Sequence, residues 1–209
     1  NSDSAFYANK TQLSYALPLF FGIVPKGEEQ KVAANLAQSI RDNNYSLDFG
    51  FIGSAVVPEV LSAYGYNDVM YRLATKTTLP SYGYWIEKWN ATSLFEAWDI
   101  TKNIGDASLN HPSMGSVSAW MIKSLAGISI EQDAVAFEKI MIKPSFVDDL
   151  SFVKGSHMSI NGLVSSEWRR LGSVIELKVI IPANSKAMIV IPNKRIEVGG
   201  GEHVFKIKA

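Results

Sequence analysis

The sequence predicts a chain of two parts, helical hairpins first and an antiparallel β-sandwich second. Two observations carry this. Apolar residues recur at helical spacing from Thr11 to Ile128, and after "GISIEQDAVAF" the period shortens from about 3.6 residues to about 2. Polar or Gly- and Pro-bearing breaks separate the pieces on both sides of that change. The boundary is expected near 129–135, giving a helical domain over 1–130 and a β domain over 131–209.

The helical elements follow in order. "TQLSYALPLFFG" reads as an apolar helix closed by Gly22. "GEEQKVAANLAQSIRD" carries Glu28 and Glu29 in its first turn, Val32, Leu36 and Ile40 on one face, and Arg41 near its end, where charge complements the helix dipole. "FIGSAVVPEVLSAYGYNDVMYRLATKT" supplies two more, with Pro58 in a first turn or at a kink and Asn67 or Asp68 as the cap of the second. "NATSLFEAWD" and "HPSMGSVSAWMIKSLAGI" are expected as the fifth and sixth.

Seven strands are expected from "FEKIMIKPSF", "LSFVKGSHMSI", "LVSSEWRR", "SVIELKVIIP", "KAMIVIP", "RIEV" and "HVFKIKA". Their turns fall at "PSFVDD", "RLGS", "PANS", "PNK" and "VGGGE". Short alternating strands of this kind bury one face per sheet in a sandwich. Arg169 and Arg170 read as solvated or edge-protecting, and Asp148 and Asp149 as a turn or solvated pair.

Composition narrows the function classes. The 20 Lys and Arg residues balance 20 Asp and Glu. Without basic clusters, nucleic acid is not an expected partner, because phosphate binding draws on clustered Lys and Arg. No window approaches the roughly 18 uninterrupted apolar residues of a membrane span, so no membrane partner is expected. Zero cysteines exclude thiolate metal sites and a cysteine nucleophile. A Gly-rich phosphate loop, a zinc-binding His pair on a helix and a Gly-x-Ser-x-Gly elbow are all missing, and His111, His157 and His203 stand in unrelated contexts. Neither metal nor cofactor is expected.

Three stretches could carry chemistry. In "KWNATSLFEAWD", Glu96 stands between Phe95 and Trp98. A carboxylate held among aromatic rings is partly desolvated, which suits proton transfer. Tyr82, Tyr84, Trp85, Trp89 and Trp98 crowd the same segment, and sugar rings offer C–H faces to such side chains. The alternative is a surface acid beside core aromatics. In "SLNHPSMGSVSAW", His111 precedes Pro112 and is biased toward an extended conformation at a helix mouth. There it either meets a ligand or bonds a nearby carbonyl. In "SLDFGFIGS", Asp48 is either a pocket wall and hydroxyl acceptor or a helix cap.

Taken together, "TQLSYALPLFFGIVP", "LDFGFIGSAVVPEVLSAYGYNDVMYRLA", "TLPSYGYWIEKWNATSLFEAWD", "SLNHPSMGSVSAWMIKSLAGI" and "GLVSSEWRR" with "LKVIIPANSKAMIVIP" occur in an order that resembles the bacterial α-L-rhamnosidases of glycoside hydrolase family 78. The resemblance covers nearly the whole chain. It implies the second half of a catalytic (α/α)6 toroid followed by the C-terminal β-sandwich. "NATSLFEAW" is similar to the family's Gly-Ala-Thr-Thr-aromatic-Trp-Glu motif and its following Trp, with Asn90 and Phe95 where Gly and Trp are usual.

By that resemblance Glu96 is implied as the general base of an inverting hydrolysis of terminal α-L-rhamnose; the alternatives are a non-catalytic carbohydrate-binding or structural remnant and a related helical-barrel glycosidase for another sugar. His111, with Asn110 beside it in Ser-Leu-Asn-His, is implied as a rhamnose contact. Trp98 or Trp89 would shape the pocket wall and Trp85 would serve as a platform; Asp48, from its own context, is expected among the substrate-binding residues. The general acid is expected outside these residues. A C-terminal piece holding half a toroid is expected to be inactive by itself, and either to pair with the N-terminal half or to self-associate.

Overall fold

A computed structural model of the chain describes residues 7, 9–102 and 105–208. The chain divides into two compact units, 1–118 and 119–209. The first is built of helices and the second of sheets, as the change of hydrophobic period predicts.

In the helical unit, α1 is Gln12–Phe20, α2 Glu29–Asp42, α3 Phe51–Ala63, α4 Asn67–Thr75 and α5 Tyr82–Trp89. Helix α2 buries Val32, Ala33, Leu36, Ala37 and Ile40 on one stripe, the pattern legible in its sequence. Helix α3 is buried on more of its circumference, through Gly53, Ser54, Val56, Val57, Pro58, Val60 and Leu61, so it lies inside the unit. Pro58 falls within α3 rather than in its first turn.

Three expectations change here. The second helix of the 51–77 pair starts after Tyr66 with no side-chain cap, and Asn67 instead accepts the Ser62 hydroxyl at 2.7 Å. The fifth helix is Tyr82–Trp89, opened by Ser81, whose Oγ accepts the Tyr84 N–H at 3.0 Å. It closes at Asn90 in the left-handed conformation (φ 47°, ψ 41°), and the stretch from Asn90 to Asp99 is a loop, not a helix. The sixth expected helix is a composite of a 3₁₀ turn over Pro112–Gly115, a short α6 over Ser116–Trp120 and a π turn over Met121–Leu125.

The β unit holds eight described strands: β1 Ile128–Ile130, β2 Lys139–Ile142, β3 Phe152–Ser159, β4 Gly162–Leu171, β5 Val174–Ile181, β6 Lys186–Ile191, β7 Lys194–Val198 and β8 Gly201–Lys208. Strand β1, three residues of "ISI", is too short for its alternation to show in the sequence. The sheets run β1-β2-β6-β7 and β3-β4-β5-β8. All pairings are antiparallel except β2 with β6, which is parallel. The exception follows from connectivity, since the chain leaves the first sheet after β2, builds three strands of the second, and returns; parallel neighbours require such a crossover.

Inward residues alternate along each strand, and Ile140, Ile142, Ala187 and Ile189 from one sheet share a core with Val164, Trp168, Leu177 and Val179 from the other. Trp168 is fully buried at its centre and donates its Nε1–H to Leu125 O at 3.0 Å.

Arg170 departs from expectation. Strand β4 lies between β3 and β5, so it has no edge to protect. Its guanidinium instead pins the segment before β3, donating to Phe146 O (2.8 Å), Asp148 Oδ1 (3.0 Å) and Leu150 O (3.1 Å). It also lies 6.0 Å from the centre of the Trp168 ring. Arg170→Ala is expected to cost about 2–3 kcal/mol, because two carbonyls lose a charged donor and Trp168 loses its cover. Urea unfolding followed by tryptophan fluorescence measures this, and a loss below about 0.5 kcal/mol would show the network to be incidental.

Candidate active site

Glu96 lies on the loop from Asn90 to Asp99, and that loop is held by contacts distant in sequence. Its neighbours point inward. Phe95 is buried and tilts against Trp85 with centroids 5.4 Å apart, while Trp98 stacks on Trp85 at 4.5 Å and 15°. The Trp98 Nε1–H donates to Phe49 O, at the approach to α3, and the Trp85 Nε1–H donates to Trp98 O at 2.9 Å. Tyr82 meets both tryptophans edge-on, at 5.7 and 5.1 Å. Burial pushes the Tyr82 hydroxyl well above the usual phenol range, and its oxygen has no hydrogen-bond partner among the described residues.

This cluster corrects one expected role. Trp85 is fully buried, so it has no face to offer a sugar; it is the floor on which Trp98 rests. Trp98 is half-buried, and Trp89, at the end of α5, is 39% exposed.

The second loop, 105–111, runs alongside the first. The His111 N–H donates to Leu94 O at 2.8 Å and the Glu96 N–H to Ser108 O at 2.9 Å. The Ser93 hydroxyl donates to Leu109 O at 2.6 Å. The Ser108 N–H returns a bond to Glu96 Oε2 at 2.9 Å. The two motifs, whose bonded residues Glu96 and Ser108 are 12 residues apart, thus form one short ladder that brings Glu96 and the Ser-Leu-Asn-His segment together. Asn110 is exposed, and its N–H donates to Ser108 Oγ at 3.2 Å.

His111 packs its ring against Phe51, with centroids 5.5 Å apart, and its Nδ1 is buried with no hydrogen-bond partner among the described residues. It opens the 3₁₀ turn at Pro112, which is tied to α3 by the Ser54 hydroxyl bonded to Ser113 O at 2.7 Å.

Asp48 serves as a cap, though not of the helix that follows it. Both carboxylate oxygens accept the Gln12 N–H, at 3.1 and 3.2 Å, at the start of α1, and Gln12 Oε1 accepts the Asp48 N–H at 3.3 Å. Partial burial raises its carboxyl above the usual range, with the Gln12 N–H acting in the opposite direction. A raised folded-state value means that Asp48 contributes stability below its unfolded value near 3.9 and loses it as pH rises through the folded value. The melting-temperature difference between wild type and Asp48→Asn is therefore expected to favour wild type more at pH 3 than at pH 7. A difference that grows toward pH 7 would refute this ordering.

A further groove of about 400 Å³ beside α5 is lined by Thr77, Thr78, Leu79, Tyr84, Glu87 and Lys88, none of them a residue singled out for chemistry except Tyr84. Among the described residues no helix is long and apolar enough to cross a membrane.

Residues 2–125 match the family model of the bacterial α-L-rhamnosidase six-hairpin glycosidase domain, and residues 127–206 match that of the bacterial α-L-rhamnosidase C-terminal domain. The chain belongs to the bacterial α-L-rhamnosidase family. An α-L-rhamnosidase of Streptomyces avermitilis is 31% identical over 94% of the chain, and one from an Alteromonas species is 29% identical over 88%. The chain spans about a fifth of the length of these relatives, 21% and 20%. Among solved structures, native α-L-rhamnosidase from Aspergillus terreus superposes with a TM-score of 0.89 at 30% identity, covering 98% of this chain and 25% of that one. The Streptomyces avermitilis enzyme complexed with L-rhamnose gives 0.85 at 27% identity, covering 99% and 23%. Both units of this rhamnosidase-family chain therefore have counterparts in the order predicted.

Proposed function

We propose that these residues form part of an inverting α-L-rhamnosidase in which Glu96 is the general base. The observation that carries the proposal is the ladder joining the Glu96 loop to the Ser108–His111 loop over the Trp85–Trp98 floor. One carboxylate oxygen is held by the Ser108 amide, and the other would take the proton. In the reaction, a water oxygen attacks the anomeric carbon and gives its proton to Glu96. The glycosidic C–O bond breaks, and a second carboxylic acid, roughly 6.5–9.5 Å away in inverting enzymes, protonates the departing oxygen.

The remaining roles follow from position. His111 meets the sugar through Nε2, since Nδ1 is turned into the protein. Trp98 and Trp89 offer apolar faces to the ring, and Asn110 is available to a hydroxyl. Asp48 acts on the pocket by fixing the start of α1.

The acid is contributed by residues outside these 209, which also cover the apolar side chains exposed at the end of α1, Phe20, Phe21 and Ile23. The chain by itself is inactive and self-associates, and sedimentation of the isolated chain as a strict monomer would count against that part of the proposal.

The test of the reaction is hydrolysis of an aryl α-L-rhamnoside by the whole enzyme, with proton NMR on the first product. Release of β-L-rhamnose supports inversion, release of the α anomer indicates retention, and turnover of a different sugar alone would remove rhamnose as the substrate.

A further inference from the structure

We infer that the main-chain N–H of Ser108 positions the Glu96 carboxylate, fixing Oε2 so that Oε1 faces the water to be activated; this rests on Glu96 being the base. The contact is 2.9 Å and is answered by the Glu96 N–H, which donates to Ser108 O at the same distance. Residues 96 and 108 thus close a ring with bonds in both directions. A glutamate has three side-chain torsions, and its carboxylate would otherwise sample several directions. A main-chain donor has no rotamers to lose, so it fixes a direction at small entropic cost.

The ladder makes that donor rigid. Ser108 is braced from one side by its own hydroxyl, which accepts the Asn110 N–H at 3.2 Å. It is braced beyond by Ser93 Oγ on Leu109 O and His111 N on Leu94 O. On the other strand, Phe95 and Trp98 anchor the residues flanking Glu96 in the aromatic cluster. Ser108 is therefore a positioning residue, and what it supplies is an amide rather than a hydroxyl.

The test uses the whole enzyme and a dinitrophenyl α-L-rhamnoside, whose leaving group needs no proton donor, so that the base step limits the rate. Ser108→Pro deletes the N–H and keeps the carbonyl. It is expected to lower kcat about 10- to 100-fold with KM within about threefold, and Ser108→Ala, which keeps the amide, is expected to restore most of that loss. In a Glu96→Ala background, adding Ser108→Pro should change the residual rate by less than about twofold, because the amide acts only through the carboxylate. A proline variant with near wild-type kcat, or one that slows the Glu96→Ala enzyme as much as the wild type, would overturn the inference.

Azide added to Glu96→Ala separates the underlying reading. Recovered turnover to the β-rhamnosyl azide supports Glu96 as base, and a fully active Glu96→Ala enzyme removes both claims. Should the proline variant unfold, hydrogen exchange in the whole enzyme decides. Protection of the Ser108 amide that falls at least about tenfold in Glu96→Ala supports the contact, and unchanged exchange refutes it.

Discussion

In the whole enzyme, Glu96→Gln is expected to lower kcat on aryl α-L-rhamnosides by about 10²- to 10⁴-fold, the usual worth of a general base, with KM little changed. The substitution is informative because the site can accept it. Gln carries an amide oxygen that can take the Ser108 N–H in place of Glu96 Oε2, now 2.9 Å away, so the ladder between the two loops has no reason to open. Its NH₂ group then occupies the position of the free oxygen and cannot accept a proton from water. Fold and charge-independent contacts persist while the chemistry is removed. Equal melting temperatures together with a loss below about tenfold would take Glu96 out of the base role, however well its loop is built.

Why this site was only half legible in the sequence follows from what holds it. The apolar stripe of α2 and the alternation of β5 and β6 are local patterns, and Val32, Leu36 and Ile40 or Ile175, Leu177 and Val179 are buried as their spacing implies. "LFEAW" also has local helical character, and a local reading makes 90–99 a helix. The structure resolves it as a loop because its bonds go elsewhere: Leu94 and Glu96 to His111 and Ser108, Trp98 to Phe49 and Trp85. The nearest of these pairs, Glu96 with Ser108, is 12 residues apart, well beyond the three- and four-residue spacing from which a helix is read.

The same reasoning covers Asp48, whose acceptors serve Gln12, 36 residues earlier, instead of its own helix. Trp85 shows the converse. Its aromatic company suggested a sugar platform, but packing on all sides makes it structural. The residue types that could serve the site were visible, and their division between wall and floor depended on tertiary contacts.

The β unit allows an equally large effect from a residue with no chemistry. Gly127→Ala is expected to destabilise it by more than about 4 kcal/mol, enough to unfold a domain of ordinary stability. Gly127 has φ +77°, and a Cβ there would lie 2.2 Å from Pro144 N and 2.3 Å from Lys143 C. Both are backbone atoms, so no rotamer change relieves the overlap. Moving that strand end away would break the 2.8 Å bond from Lys143 N to Gly127 O, next to the Ile128–Ile142 pairing of β1 with β2. Gly172 supplies the control. It too is left-handed, at φ +62°, but nothing lies within 4 Å of its would-be Cβ. Gly172→Ala should therefore cost only the conformational penalty, about 1–2 kcal/mol. Urea denaturation of the two variants separates steric exclusion from backbone strain, and similar losses in both would mean that strand β1 can yield where the backbone contacts say it cannot.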